Sequence, residues 1–374
     1  MKLETRAVVD WMSDGIPRPA RIEAEITAHC NLNCRFCWIQ DPPAFRRANL
    51  DKEMRVERWL RLTEETAELG TEIWRIGGGG EPMVRPRVTV PVMLSVKRLG
   101  MKGHLTTNGT IFSEPDAAAV VESGWDVIEF SIDGPDAGLH DELRGTAGAF
   151  ARTMTVIDRF NTCKDAAGSD TPQLLISSVL VRDNLDHMME MMRLAADKRI
   201  RKVSINPMTV MVRDEQKKRI VWGMKVAEDI ARQRDEQLAK AKEEADRLGI
   251  DTNVHHFIAN PFIERTNDMD SLLAGAAPAQ PPGILAIPCY SPWYLASIRP
   301  HGTMGACCRF RDGEAENLVR QSFRDIWHGP VFTAVRRELM EMGIPEYCAG
   351  CSPNNIRFEG EIREELRAYL GNRS

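Results

Sequence analysis

The sequence predicts an α/β protein in which parallel strands are joined by crossover helices, followed by a small cysteine-rich segment. Three observations carry this. Short β-branched or apolar runs alternate with stretches whose less polar positions recur at three and four residues. Six such strand–helix units succeed one another before residue 210, and that alternation implies a parallel sheet. Eight of the nine cysteines gather at the two ends of the chain, and only Cys163 lies between. Six units fit an incomplete barrel or a doubly wound sheet, and in either case functional side chains belong at the carboxyl ends of the strands.

The expected strands are 22–28, 72–76, 104–107, 127–132, 174–181 and 202–206, each a short run rich in Ile, Val, Leu or Thr. The helical stretches between them lie near 52–69, 87–100, 114–123, 147–162 and 184–197; Trp59, Leu62, Thr66 and Leu69 exemplify the spacing. A long polar helix is expected near 213–248, with Ile220, Met224, Ala227, Ile230, Leu238 and Ala245 as its apolar stripe and its charges as a solvated face. Residues 273–288 read as a Pro/Ala/Gly linker. The expected division is 1–212, a helical segment with linker at 213–285, and a C-terminal unit at 286–374.

A chain of 374 residues allows two domains or one large one, at roughly 150 residues per domain. Apolar residues make up 43% and charged residues 28%, as in ordinary globular proteins. Lys+Arg is 49 against Asp+Glu 54, so no basic surplus points to a nucleic-acid partner. No apolar run approaches the roughly 18 residues of a spanning helix, and no membrane partner is expected. The start, MKLETRAVVDWMSDG, lacks the apolar core of a secretion signal. A reducing cytoplasm is then the expected location, with disulfides the less favoured use of the cysteines.

Cys30, Cys34 and Cys37 crowd into eight residues after the first strand, and Cys289, Cys307, Cys308, Cys348 and Cys351 lie in the last quarter. Thiolates are soft donors suited to zinc or iron–sulfur clusters. Zinc usually takes two separated pairs, so three crowded thiols suit it poorly unless His29 or a distant group is the fourth ligand. On a four-iron cube, three thiols leave one iron open.

The spacing Cys30-x-x-x-Cys34-x-x-Cys37, with Phe36 before the last cysteine, resembles the cluster loop of the radical S-adenosylmethionine (SAM) superfamily. Further along, Gly77-Gly78-Gly79-Gly80-Glu81 resembles that family's GGE element, Thr107-Asn108-Gly109 its TNG turn, and Ser131-Ile132-Asp133-Gly134 with His140-Asp141 and Arg144-Gly145 its SIDG…HD…RG pattern. The resemblance covers about 22–210. It implies a partial (β/α)6 barrel, SAM, and a SAM-binding [4Fe–4S] cluster on Cys30, Cys34 and Cys37. It also implies that Gly79, Gly80 and Glu81 hold the SAM amino group and that Ser131 and Arg144 meet its carboxylate or ribose. Asn108 would lie on the same rim, with the adenine near Trp38.

The spacing from Cys289 through Gly302 to Cys307, then Cys348-x-x-Cys351, resembles the SPASM and twitch domains attached to some radical SAM enzymes. Asn317-Leu318, Ile326-Trp327 and Phe332…Arg336 sit where that family has related elements. Residues 297–302 read as a strand and turn that would bring Cys289 and Cys307 together. The resemblance implies a small α+β domain holding a second, auxiliary [4Fe–4S] cluster on Cys289, Cys307, Cys348 and Cys351. No cysteine follows Cys351, which matches the shorter twitch arrangement. Structural zinc on the same four thiols is the alternative. Cys308 is redundant for ligation and is a spare ligand, a buried thiol or a hydrogen donor. Cys163 is expected to be a buried thiol, and His255-His256 to be loop or surface.

The resemblance implies reductive cleavage of SAM to a 5′-deoxyadenosyl radical that takes hydrogen from an unactivated C–H. A low-potential donor such as flavodoxin or ferredoxin would supply the electron. The leading expectation is oxidation of an alcohol on a polar small molecule, such as a sugar or aminocyclitol. An epimerase using a thiol donor such as Cys308 is one alternative. A peptide- or protein-modifying maturase is another, disfavoured because only 29 residues precede Cys30. A two-site zinc protein used for binding is the non-enzyme alternative.

Overall fold

A computed structural model describes residues 1–37, 52–208, 218–221, 226–258, 283–310, 316–341, 343–351 and 353–371. The strands are β1 (Arg21–Ala24), β2 (Ile73–Ile76), β3 (Lys102–Thr107), β4 (Val127–Ser131), β5 (Gln173–Leu180), β6 (Lys202–Pro207) and β7 (Asp251–Thr252). Then come β8 (Leu295–Ile298), β9 (Thr303–Gly305) and β10 (Glu316–Asn317). They form one sheet in the order β10-β9-β8-β1-β2-β3-β4-β5-β6-β7. From β8 to β7 every neighbouring pair is parallel, while β8–β9 and β9–β10 are antiparallel.

Helices α1 (Leu3–Asp14), α2 (Val56–Glu68), α3 (Pro86–Arg98), α4 (Glu114–Glu122), α5 (Ala137–Arg144), α6 (Ala149–Ala167), α7 (Met188–Asp197) and α8 (Glu228–Leu248) follow in chain order. The C-terminal part adds α9 (Ser291–Tyr294), α10 (Phe323–Trp327), α11 (Pro330–Met340) and α12 (Pro353–Gly371). Strand residues alternate, as the two-residue period requires. Ile22, Ala24, Trp74, Ile76, Leu105, Ile128, Phe130, Ile176, Val203 and Ile205 share one core with Trp59, Leu62, Val92, Val96, Val120, Ile157, Phe160 and Met191 of the crossover helices. The intervening positions face the other way, into the concave side of the sheet. This is a partial (β/α)6 barrel, extended at its β1 edge by a small C-terminal α+β unit.

All six expected strands form, within a few residues of their expected ends. The first is shorter than 22–28, ending at Ala24 where the chain turns toward the cysteines. The long polar helix begins only at Glu228: residues 218–221 are not helical, and the buried Arg234 guanidinium donates to the Val221 carbonyl at 3.0 Å. Of the expected stripe, Leu238 and Ala245 are fully buried, while Met224 lies outside the described residues. The linker expected at 273–288 is described only from 283, where a short 3₁₀ turn stands.

Two long-range features depart from the expected division. Helix α1, assigned above to 1–212, packs in the C-terminal core: Ala7 and Val8 lie with Tyr290, Trp293, Ile362 and Leu366. The C-terminal unit is also continuous with the barrel, because β8 pairs with β1 from Arg21↔Leu295 to Ala24↔Ile298.

Candidate active site

The chain leaves β1 at Ala24 and passes directly into the Cys30–Cys37 loop, which is anchored from three sides. On the first side lies the glycine run after β2. Gly80 donates its N–H to Thr27 O (2.7 Å), and Glu81 its N–H to His29 O (2.7 Å). A Cβ on Gly80 would stand 1.9 Å from the His29 carbonyl oxygen, and one on Gly79 2.7 Å from that of Thr27. Glycine here lets two loops close on each other, a use distinct from the expected approach to a ligand. Beneath them the Glu53 carboxylate accepts from Thr27 Oγ1 (3.0 Å) and Ala28 N (2.8 Å) and is paired with Arg85 at 3.0 Å.

The second side is the turn after β3. Glu81 is 3% exposed, and its carboxylate accepts from Thr107 Oγ1 (2.6 Å), Asn108 N (2.7 Å) and Met83 N (3.0 Å). Glu81 therefore joins the β2 and β3 turns. Asn108 Nδ2 donates to Asn31 Oδ1 at 2.8 Å and lies 3.9 Å from Cys30 Sγ, while Asn31 Nδ2 donates to Thr110 Oγ1 at 2.7 Å.

The third side is the C-terminal end of α5. Its last carbonyls, Leu143 and Arg144, accept from Arg35 N (2.9 Å) and Asn33 N (3.1 Å). Gly145 ends the helix at φ +61°, where a Cβ would meet Asn33 O at 2.1 Å. Arg144 is 7% exposed; its Nη1 lies 3.7 Å from Cys34 Sγ and its Nη2 2.5 Å from Asp133 Oδ2, and it stacks on Phe36. Asp133, fully buried at the end of β4, accepts from Val179 N at 2.7 Å. His140 Nδ1 accepts from Asp133 N at 3.4 Å. Burial, with Arg144 beside it, pulls the His140 imidazole down to about 3. Ser131 closes β4, half-buried on the concave side. Trp38 lies outside the described residues.

Cys34 is buried, and Cys30 and Cys37 are half-buried in a small apolar cluster with Leu32, Phe36 and Leu143. Burial pushes the Cys30 thiol up to about 11, with Cys34, Glu81 and Cys37 adding to it.

The C-terminal cysteines are assembled from three places. The tight turn at Gly302, φ +86°, folds β8 onto β9 and brings Cys307 near enough to Cys289 for their charges to interact. Cys289 is held through Tyr290 N, which donates to the buried Glu359 carboxylate of α12 at 2.6 Å. Cys307 also feels the charges of Cys348 and Cys351, which a short 3₁₀ turn presents together. Burial raises Cys289 well above its ordinary value, lifts Cys307 too, and takes Cys348 to about 11. Cys308 adds to the charge that Cys307 feels, its own charged neighbours include Glu23, Arg309 and Glu25, and burial pushes it up to about 11. Cys163 is half-buried against the main core, and the His255 and His256 rings lie 3.9 Å apart between β7 and residue 258.

Both thiol groups fit iron–sulfur clusters. Cys30, Cys289, Cys307 and Cys348, all raised by burial, ionise readily only with a metal cation among them, and a metal–thiolate bond supplies that charge. Among the described residues no three Cys, His, Asp or Glu side chains converge closely enough to hold one ion.

The concave face of the barrel mixes polar side chains with Ile73, Val127, Leu175 and Val179. Arg75, His104, Thr106, Glu129, Ser177, Ser204 and Asn206 occupy its inward positions. Burial would raise Glu129, but it is outweighed: His104 Nε2 at 2.8 Å, Arg75, and the Thr106 hydroxyl at 3.0 Å hold the carboxylate down at about 2. Sequence reasoning missed this group. It also missed Asp133, Asn31 and Glu53 as parts of the site. Asp133 stood in plain sight in the SIDG segment, but only Ser131 and Arg144 were taken from that pattern as site residues.

Comparison with known proteins places these features. The model of the Radical SAM superfamily matches residues 24–195, and that of the SPASM iron–sulfur cluster-binding domain matches 289–352. An AdoMet-dependent heme synthase of Oleidesulfovibrio alaskensis is 31% identical over 183 residues, 49% of this chain and 44% of that protein. The match therefore spans less than half of that relative. A PqqA peptide cyclase of Rhizobium meliloti is 24% identical over 377 residues, 97% of this chain and 90% of that protein. Streptococcus suis SuiB bound to S-adenosylmethionine shares the fold, with a TM-score of 0.62 at 17% identity over 88% of this chain and 71% of that one. Among the described residues no helix is long and apolar enough to cross a membrane.

Proposed function

We propose that this radical SAM enzyme, with its C-terminal SPASM iron–sulfur domain, acts on a peptide or protein side chain. The observation that carries this is similarity along nearly the whole chain to a PqqA peptide cyclase, 97% of one protein against 90% of the other. A second such cyclase, from Gluconobacter oxydans, is 26% identical over 95% of this chain and 88% of its own. The small-molecule alcohol oxidation expected from the sequence has no comparable support, nor has epimerisation. The length before Cys30 is a weak argument against a peptide substrate, since these peptide-directed relatives match almost end to end.

In this proposal Cys30, Cys34 and Cys37 hold the SAM-binding cluster, and Cys289, Cys307, Cys348 and Cys351 hold one auxiliary cluster. When bound, SAM and its cluster supply one-electron chemistry that activates C–H bonds. The protein's own part is placement. Gly79, Gly80, Glu81, Asn108 and Ser131 would contact SAM as the resemblance implies, and Glu81 ties the β2 and β3 turns that carry four of them. The concave face, with the Arg75–Glu129–His104 group, supplies hydrogen-bonding partners for a peptide segment entering the barrel mouth. A low-potential flavodoxin or ferredoxin is the proposed electron source.

The test offers anaerobically reconstituted enzyme, SAM and dithionite to a panel of synthetic peptides and a panel of aminocyclitols. A peptide mass change that is absent with the Cys30→Ala variant supports the proposal. Oxidised aminocyclitol with every peptide unchanged overturns it.

A further inference from the structure

Two sulfur contacts of the Cys30–Cys37 loop differ in kind. Cys30 has a neutral amide near it, Asn108 Nδ2 at 3.9 Å, whereas Cys34 has the Arg144 guanidinium, Nη1 at 3.7 Å. That guanidinium has little freedom. Its other arm meets Asp133 Oδ2 at 2.5 Å, its face lies over Phe36, and its backbone carbonyl accepts from Asn33 N at 3.1 Å. Asp133 is fixed in turn. Its Oδ1 accepts from Val179 N at 2.7 Å and Ser178 Oγ at 3.5 Å, and its carbonyl accepts from Asn184 Nδ2 at 3.0 Å. A chain of contacts therefore runs from β5 through Asp133 to one cysteine sulfur, with all its members at least nine-tenths buried except Val179.

We propose that Arg144, oriented by Asp133, is a positioning residue that donates to the Cys34 sulfur and raises the reduction potential of the cluster bound there. This rests on the three-cysteine cluster assigned under Proposed function, and it gives Arg144 a role other than the SAM contact implied by resemblance. Hydrogen bonds and positive charge near a thiolate ligand stabilise the reduced, more negative cluster. In a buried site that effect is little screened by water.

The experiment is an EPR-monitored redox titration of the full-length reconstituted enzyme without SAM, preceded by iron and sulfide counting. The counting separates failure of the cluster assignment from failure of this inference. With clusters intact, Arg144→Gln should lower the reduced-to-oxidised ratio at the wild-type midpoint about tenfold, a shift of about 59 mV for one electron. Arg144→Lys, which keeps the charge but loses the fork, should fall between the two. An unchanged midpoint in Arg144→Gln, with only SAM affinity reduced, would overturn the proposal. If that variant does not assemble, wild-type enzyme labelled with ¹⁵N-arginine decides. A ¹⁵N hyperfine coupling to the reduced SAM-binding cluster, lost in Arg144→Lys, supports the contact; no coupling in the wild type refutes it.

Discussion

Gly80 and His29 leave no room for a side chain between them: a Cβ on Gly80 would stand 1.9 Å from the His29 carbonyl oxygen. The obstacle is backbone, so it cannot rotate aside. Gly80→Ala should push the cysteine loop out of register, at an overpacking cost of about 1–3 kcal/mol. Iron counting should then find the first cluster largely lost and the auxiliary one kept. Full iron in Gly80→Ala would show that the loop tolerates the displacement.

The thiol assignments predict a split phenotype. Cys30→Ala, Cys34→Ala or Cys37→Ala should abolish 5′-deoxyadenosine formation. Cys348→Ala should keep the first cluster while removing about half the iron, since each site is assigned one four-iron cluster. Loss of all iron in Cys348→Ala would mean that the sites assemble as one.

Glu81 and Thr107 are coupled across two turns by a 2.6 Å hydrogen bond to a buried carboxylate. Burial raises the Glu81 carboxyl above its ordinary value, and a hydrogen bond to such a group is worth about 0.5–3 kcal/mol depending on its charge. A double-mutant cycle on Glu81→Gln and Thr107→Val, read by denaturant unfolding, should return a coupling of at least about 1 kcal/mol. Additive effects would remove Glu81 from its role as the tie between β2 and β3.

His140 gives a pH signature. Its folded-state value is depressed to about 3 from an ordinary 6.5, because burial and Arg144 disfavour the charged ring. The unfolded chain therefore binds the extra proton first. Stability is fully present above about 6.5 and declines as pH falls toward about 3. Unfolding free energies measured between pH 7 and pH 4.5, about the span where this ring dominates, should show the decline in the wild type and a flatter profile in His140→Asn. Parallel profiles would count against the assignment.

The barrel was legible because its signals are local. Each strand is a short apolar run and each crossover helix keeps its spacing, so neither needs a distant partner to be recognised. The three-cysteine loop stood out for the same reason: its cysteines crowd into eight residues after the first strand. Helix α5 was hidden because 137–144 was read for its chemistry. Its structural marks are Asp136, which caps it by accepting from Leu139 N, and Gly145, which ends it. Helices α1 and α12 were missed, and they are held by contacts between the two ends of the chain: Lys2 N donates to Glu365 at 2.7 Å. No local pattern announces such a contact. The pairing of β8 with β1 joins residues more than 270 positions apart and was invisible for the same reason.

That pairing governs how the protein can be cut. Removing everything from residue 289 onward would strip β1 of its ladder partner and uncover the apolar side of α1. The leftover fragment would carry a raw hydrogen-bonding margin beside a greasy patch, a recipe for self-association. The two cysteine-bearing regions are thus not interchangeable cassettes on a string, and a shortened version made for convenience is expected to precipitate rather than report on the first site alone.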